Sequence, residues 1–536
     1  MLTDSAMIQY LHPEALLILF SVFVFIGGTW NQTRIGWATI GSVVLAFAAL
    51  VLSRHGVAVA NSGVAEAVIR DELSVGFRWL ALLLCFLFVI FSTQETSGKL
   101  YPERLGSIVL VFVGLMLVSS ASDLTMLFLG LEMISIPTYV LLFLGGDAQR
   151  AEEATAKYFF LSILSSGMML FGFACLYGIA GETNLAAISA SLHSPAPVLF
   201  PYLYPLAVGL IMVGLCFKIA AVPFHFYAPD VYEATTHVNA ALLAVVPKIA
   251  GVLAMVRILI VAIPHDSAFS WKMVLVISIL TMTLGNVAAL WQSNVRRMMA
   301  YSSIAHAGYL LIGLATAMGL NGGEPLGNAA VGATLMYVVV YSLASVGVFA
   351  SLGYLSDTDH SCDTVESLGG VGRLHPMMGG MCAICLFSLA GIPPLAGFWG
   401  KFTLFRSALD AGLQAGDVSQ RSWFLALCIL GVINAAVAAA YYLRLIAALY
   451  FQPSVDGSDA LPSAGNTGAG LAAIFSGLLV VLIGIRTGGA LTGTRSAADA
   501  LWTGGKSPAV SANVAPAEAS VALERNAADT QLTSSR

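Results

Sequence analysis

Long apolar runs separated by short polar punctuation make up most of this chain. In order they fall at 14–30, 35–52, 77–93, 105–120, 123–145, 155–180, 203–222, 238–263, 271–291, 298–318, 328–355, 376–410, 422–450 and 467–486. A helix needs roughly 20 apolar residues to cross the hydrocarbon of a bilayer. The pattern therefore predicts an all-α polytopic membrane protein with about 14 transmembrane helices. Several spans are interrupted by proline: Pro223 follows the seventh, Pro247 lies inside the eighth, and Gly391-Ile392-Pro393-Pro394 cuts the twelfth. Proline removes a backbone donor and clashes with the preceding turn, so breaks at membrane depth are expected at all three. From 487 to 536 the sequence turns to Ala, Ser, Gly and Thr with no periodic apolar face, which reads as a disordered tail.

Composition agrees with the pattern and narrows it. Of 536 residues, 58% are hydrophobic and only 10% charged, against about 25% charged in a soluble domain. The 24 Lys and Arg are outnumbered by 29 Asp and Glu, a net charge of −5. That balance offers no basic surface, and no nucleic-acid partner is expected. The first 33 residues hold no Lys or Arg, so the positive segment of a cleavable signal is missing and the first helix is expected to stay. Six of the seven cysteines lie inside apolar runs, where they read as small hydrophobes. Cys382-Ala-Ile-Cys385 has a metal-like spacing but no second pair to complete four ligands. With no haem ligand set and no strand leading into a Gly-rich turn, the chain is expected to carry no cofactor of its own.

Positive charge orients the spans. With the N-terminus outside, Arg34, Lys99, Arg104, Arg150, Arg296, Arg297, Arg373 and Arg444 lie inside, against Arg54, Arg70, Lys272 and Arg421 outside. This bias has the sign of the positive-inside rule and predicts a multi-pass protein with both termini outward. A faint repeat adds to the picture. Val222-Pro223-Phe224-His225 aligns with Ile392-Pro393-Pro394-Leu395 at an offset of 170, which also lays the Glu132 helix over that of Ser302. Repeated halves with broken helices at matching places point to a transport site near the bilayer midplane.

Charges inside the apolar runs need an account, since each costs about 2.5 to more than 10 kcal/mol at a helix centre. Glu132 lies near the middle of its span, Lys248 directly follows Pro247, Lys218 precedes the Pro223 break and Lys401 follows Pro394. His225 sits just past the first break and His306 lies in the tenth span. Lys157 reads either as a surface pair with Glu153 or as a member of this set, and His306 either as a helix-to-helix hydrogen bond or as a proton carrier. Glu132, Lys218 and Lys248 have no such bland account, because a carboxylate is too short to snorkel and both lysines stand beside breaks. A buried lysine whose charge depends on a nearby carboxylate is what a proton relay requires. Arg257, Arg296 and Arg297 read as helix-end anchors, and Asp123 as an N-terminal cap.

Several stretches also resemble a known family. Phe217-Lys218-Ile219-Ala220-Ala221-Val222-Pro223-Phe224-His225-Phe226-Tyr227-Ala228-Pro229-Asp230-Val231-Tyr232-Glu233-Ala234 resembles the signature of the antiporter-like subunits of respiratory complex I. Val245-Val246-Pro247-Lys248-Ile249-Ala250 is similar to subunit N in particular. Leu129 to Met133, Ala300 to Tyr309 and Gly391 to Phe402 extend the match over about 120–410. The resemblance implies 14 helices with two inverted five-helix repeats: 1–104 for helices 1–3, 105–263 for helices 4–8, 271–450 for helices 9–13, and 467–486 for the last span. It implies Glu132 and Lys218 as a switching ion pair, Lys248 as the central relay lysine, Lys401 as the terminal lysine, and His225 and His306 as intermediates. It further implies a bacterial inner-membrane complex whose NADH, FMN, iron–sulfur and quinone sites belong to partner subunits, and protons as the species moved. One stretch departs: Ala-Thr-Thr-His-Val-Asn at 234–239 stands where the family usually has Gly-Ala-Pro-Thr-Pro-Val-Thr, which removes two prolines at the entry to the eighth helix.

Three functions remain in competition. The first is a proton channel driven by quinone reduction in partner subunits; the second is a subunit of a multisubunit cation/proton antiporter. The third is a structural membrane subunit whose charges only hold helices together. The Val-Pro-Lys of the eighth span favours the first.

Overall fold

Short polar side chains start several helices where the sequence turns apolar. A computed structural model describes residues 10–30, 33–54, 67–94, 100–145, 148–192, 202–263, 268–320, 325–356, 362–453 and 467–503. The helices are α1 (His12–Gly27), α2 (Arg34–Arg54), α3 (Glu72–Phe91), α4 (Tyr101–Ser120), α5 (Leu124–Phe143), α6 (Ala148–Ala180), α7 (Leu185–Leu192), α8 (Leu203–Ile219), α9 (Tyr227–Ala234) and α10 (His237–Met255). They continue with α11 (Ala268–Leu290), α12 (Val295–Gly319), α13 (Pro325–Leu355), α14 (Val371–Leu374), α15 (Pro376–Ala390), α16 (Ala396–Gln414), α17 (Val418–Phe451), α18 (Thr467–Ile485) and α19 (Thr487–Thr503). Asp71, Asp123, Thr236, Asn294 and Asp417 accept backbone N–H groups at the starts of α3, α5, α10, α12 and α17. Asp123 is thus the cap its position predicts. Among the described residues there is no β-strand, only isolated bridges.

Among the described residues eleven helices are long and apolar enough to cross a membrane, and three shorter apolar ones accompany them: α1, α8 and α15. The last two are the first halves of broken segments. α4, α10, α12 and α13 form the buried interior, while α2, α11 and α17 turn large apolar side chains such as Ile35, Leu280 and Ile429 outward. Such a belt is what lipid contact demands.

The breaks are local and alike. α8 ends at Ala220 with φ 56° and α15 at Gly391 with φ 90°, so each segment turns through a left-handed residue before its proline. For alanine this conformation costs about 1–2 kcal/mol. The two caps are 171 residues apart, one more than the offset of 170 read in the sequence; an offset of 171 sets Glu132 against Ser303 instead of Ser302.

Two expectations are corrected. α10 runs unbroken through Pro247. Proline there removes the bond that the Leu243 carbonyl would accept, and the helix runs on, buried along its whole length; the Tyr341 hydroxyl donates to the next carbonyl, that of Ala244, at 3.1 Å. Irregularity comes later, as the π-helical segment Val256–Ala262. The stretch read as a disordered tail from 487 begins with the ordered helix α19, packed on α13 and α3. Asn328 donates to Asp499 at 2.8 Å and Ser496 bonds Glu72, and the buried face is made of Ala497, Ala498 and Leu501, too small to mark the helix in hydropathy. Residues 504–536 and Lys99 lie outside the described residues.

Candidate functional site

Buried ionisable groups occur in series through the interior. Glu132 of α5 and Lys218 of α8 form an ion pair at 3.3 Å. Ser166 of α6 donates to the same Glu132 oxygen at 2.6 Å, and the Lys218 ammonium donates to the Ser135 hydroxyl at 2.5 Å. Lys218 is almost fully buried, Glu132 less so.

Lys248 of α10 is buried, hydrogen-bonded to the Ser303 hydroxyl of α12, and lies 5.9 Å from the Tyr341 ring centroid. Ser303 is a junction, taking Tyr341 Oη at 3.1 Å and Tyr232 Oη at 3.3 Å. One turn further along α12, His306 is held between two tyrosine hydroxyls: Nδ1 to Tyr337 at 2.5 Å and Nε2 to Tyr442 at 2.8 Å. Tyr442 also bonds Ser302. Lys401 of α16 donates to the carbonyls of Leu389 and Ala390, the frayed end of α15, at 2.8 and 3.1 Å, and its ammonium stands 5.0 Å from the Tyr309 ring. Tyr309 in turn accepts from Asn286 at 2.9 Å. The broken helix thus gives Lys401 the carbonyls that an intact ladder would occupy.

The other two candidates sit apart. Lys157 is half exposed in the third turn of α6, paired with Glu153 at 2.7 Å and Asp230 at 3.3 Å. Arg297 joins the same rim cluster through Asp230 and Glu233. Both contacts of Lys157 are partly exposed ion pairs, the one with Glu153 at i,i+4 spacing. His225 is half buried in the connection from α8 to α9, and among the described residues no hydrogen bond links it to Lys218 or Lys248. The departure at 234–239 is well ordered: Thr236 caps α10, and Asn239 donates to Leu141 O at 2.7 Å while accepting from Arg104 at 3.2 Å.

Sequence reasoning missed the serine and tyrosine partners, and two buried ion pairs. Glu14 and Arg78 pair at 2.5 Å, and Arg257, expected as an anchor, holds Asp71 at 2.6 Å. Arg78 lies two turns into an apolar helix, so the criterion that singled out Glu132 applied to it equally. Among the described residues no group of three or more His, Cys, Asp or Glu side chains is placed to hold a metal ion, and Cys382 and Cys385 are buried in the packing of α15.

Residues 121–420 match the family described as "NADH:quinone oxidoreductase/Mrp antiporter, TM". NADH-quinone oxidoreductase subunit N of Trichlorobacter lovleyi is 37% identical over 450 residues, covering 83% of this chain and 86% of that one. The subunit N of Rhodospirillum rubrum is 35% identical over 423 residues, covering 78% and 81%. A chain of respiratory complex I from Thermus thermophilus superposes with a TM-score of 0.72 at 30% identity, over 90% of this chain and 98% of that one. A chain of the Mrp complex from Dietzia sp. superposes at 0.75 with 20% identity, over 91% and 97%, a likeness of fold. The chain belongs to the NADH:quinone oxidoreductase/Mrp antiporter transmembrane family, and within it to the NADH-quinone oxidoreductase subunit N group.

Proposed function

We propose that this chain is a proton-translocating membrane subunit of an NADH:quinone oxidoreductase, driven by quinone reduction in partner membrane subunits. The observation that carries this reading is the series of ionisable groups in the interior, the part-buried Glu132 with Lys218, then Lys248, His306 and Lys401, the last four all buried and each with a hydroxyl, ring or carbonyl partner. Such groups are expensive in hydrocarbon and mark ion paths. Opening the Glu132–Lys218 pair changes the field at Lys248, which loads or releases a proton, and the proton passes by His306 towards Lys401. Lys157 and His225 serve at the entrance, where their wetter positions suit exchange with water.

The architecture in this reading has 14 spans, with helices 4–8 (105–263) and 9–13 (271–450) as two inverted repeats. The matching left-handed caps at Ala220 and Gly391 support that pairing. In it Glu132 and Ser303 take equivalent places, one holding Lys218 and the other Lys248. The chain itself has no redox centre; NADH, FMN, iron–sulfur clusters and quinone bind other subunits. It resides in a bacterial inner membrane with both termini outward.

The second reading, a cation/proton antiporter subunit, is favoured by the likeness to the Mrp complex, which is one of fold alone. In sealed vesicles holding the assembled oxidoreductase, the proton gradient formed per quinone reduced should fall in Lys218→Met and Glu132→Ala variants, independently of Na⁺. Unchanged proton yield with intact assembly refutes the pump. A yield that needs a Na⁺ gradient supports the antiporter.

A further inference from the structure

Two arginines brace the helix that carries Lys248. At its first turn Arg104 of α4 donates to Asn239 Oδ1 at 3.2 Å and Thr236 Oγ1 at 3.3 Å. At the far end Arg257, in the π-helical segment, donates to both carboxylate oxygens of Asp71, at 2.6 and 2.9 Å, and to the Ser119 carbonyl at the end of α4, at 2.9 Å. α4 and α10 are therefore tied to each other at both ends.

The second tie reaches further than the first. Asp71 caps α3 in a reciprocal box with Ser74, and Ser74 Oγ stands 3.1 Å from the Tyr10 hydroxyl. Arg78 donates to the Tyr10 carbonyl at 2.8 Å and to both oxygens of Glu14, at 2.7 and 2.5 Å. A buried polar network thus runs from the helix of Lys248 through Asp71 into α3 and α1, and none of its members belongs to the relay.

Stability alone gives a weak account of this network. A buried ion pair recovers little beyond its desolvation cost, and apolar side chains of similar volume hold helices together as well or better. What an Arg–carboxylate fork adds is direction, through two parallel hydrogen bonds. Direction matters at this place. Lys248 lies between Pro247, where the ladder lacks a donor, and the π-helical segment starting at Val256, about 12 Å further along the axis at 1.5 Å per residue. Its ammonium position depends on how the two ends are held.

We propose that the bidentate pair Asp71–Arg257 is a positioning clamp: it fixes the far end of α10 against α3 and α4, so that the Lys248 ammonium stays within reach of Ser303 while charge moves through the interior. Asp71 and Arg257 are positioning residues, acting through Lys248. The inference rests on the relay reading above.

The test uses the full assembled complex in sealed vesicles, with Asp71→Asn, Arg257→Met, the double variant, and Lys248→Met as reference. Subunit content, quinone reduction rate and proton gradient per quinone reduced are measured together. Both single variants assemble, and each loses about half or more of the proton yield that Lys248→Met loses, since small misplacements of a reacting group are costly. The double variant loses no more than either single, because both break one clamp, and the exchange Asp71→Arg with Arg257→Asp restores part of the yield. Wild-type yield in both singles overturns the clamp and leaves the relay standing. Loss of the subunit from the complex in both singles also overturns it, since the pair is then a folding element. If Lys248→Met itself pumps as the wild type does, the relay falls and the clamp falls with it.

Discussion

Lys218 donates to Glu132 at 3.3 Å, and each partner already has a second, neutral one: Ser135 for the ammonium and Ser166 for the carboxylate. The pair can therefore part without leaving either charge bare. A pair held only by itself would have no such exit, because an unaccompanied buried charge costs several kcal/mol.

The first prediction concerns that pair. In a double-mutant cycle on proton pumping, Glu132→Ala and Lys218→Ala should be clearly non-additive, by about 0.5–3 kcal/mol of coupling. Ser166→Ala should weaken pumping less than either, because it removes only the resting place of the carboxylate. Strictly additive effects of the two charge deletions remove direct coupling.

His306 gives the second. A neutral imidazole has one N–H and one bare nitrogen, so of Tyr337 and Tyr442 one hydroxyl accepts from the ring and the other donates to it. A proton entering on one side and leaving on the other exchanges these roles. Tyr337→Phe or Tyr442→Phe leaves one ring nitrogen unpartnered in a dry site, at about 1–3 kcal/mol, and should slow translocation while quinone reduction persists. Wild-type pumping rates in both phenylalanine variants would make His306 a purely structural hydrogen bond.

How far the sequence alone reaches is visible in these residues. Glu132, Lys218, Lys248 and Lys401 stand out because charge in a long apolar run has no cheap explanation. Tyr337, Tyr442 and Ser303 do not, since tyrosine and serine are ordinary in such runs; only the packing of α13 and α17 against α12 brings the tyrosines to His306, and only that of α10 against α12 brings Ser303 to Lys248. Helix positions were legible from hydropathy, whereas Pro247 misled: the loss of one ladder bond does not end a helix that its neighbours bury along its whole length. α19 was hidden for a similar reason. Its order comes from contacts to α3 and α13 through a face made mostly of small residues, Ala490, Ala497, Ala498 and Leu501, which stands out little in hydropathy.

The third prediction concerns Glu14 and Arg78, both almost wholly buried between α1 and α3. Removing one partner strands the other, so Glu14→Ala and Arg78→Met should each destabilise the subunit by about 3–5 kcal/mol, and the double variant by less than their sum. Thermal unfolding of the purified complex, followed by loss of this subunit, reads the effect. Equal and small losses in all three variants would show that the pair contributes nothing.

Asp71 supplies a pH test. Burial pushes its carboxyl up, but the Arg257 charge and hydrogen bonds from Arg257 and Ser74 outweigh that and hold it below the usual carboxylate range. A lowered folded pKa contributes stability that is full above the unfolded value of about 3.9 and is lost only as pH falls through the folded one. Near neutral pH the wild type should show no dependence from this group. In Arg257→Met the largest stabilising influence is gone and burial raises the carboxyl, which reverses the sign: stability is then lost as pH rises through the raised value. The slopes of melting temperature against pH for the two proteins decide it.

Lys248 separates function from stability most sharply. It is buried, its partners are the Ser303 hydroxyl and the face of Tyr341, and among the described residues no carboxylate pairs with it. As a structural element it has little merit, since a methionine would pack as well without the burial cost. Lys248→Met should therefore insert and assemble normally while translocating protons far more slowly. Lys248→Arg should fail too, because guanidinium keeps its proton at any accessible pH and cannot pass it on. That contrast distinguishes a relay from a fixed charge, which arginine preserves. The quantities to measure are subunit content by gel and the proton gradient formed per quinone reduced in reconstituted vesicles. An arginine variant that pumps like the wild type makes Lys248 a static charge, and a methionine variant that fails to assemble makes it a structural one. Ser303→Ala should lie between, because it keeps the ammonium and removes only the hydroxyl that leads from it towards Tyr341 and His306.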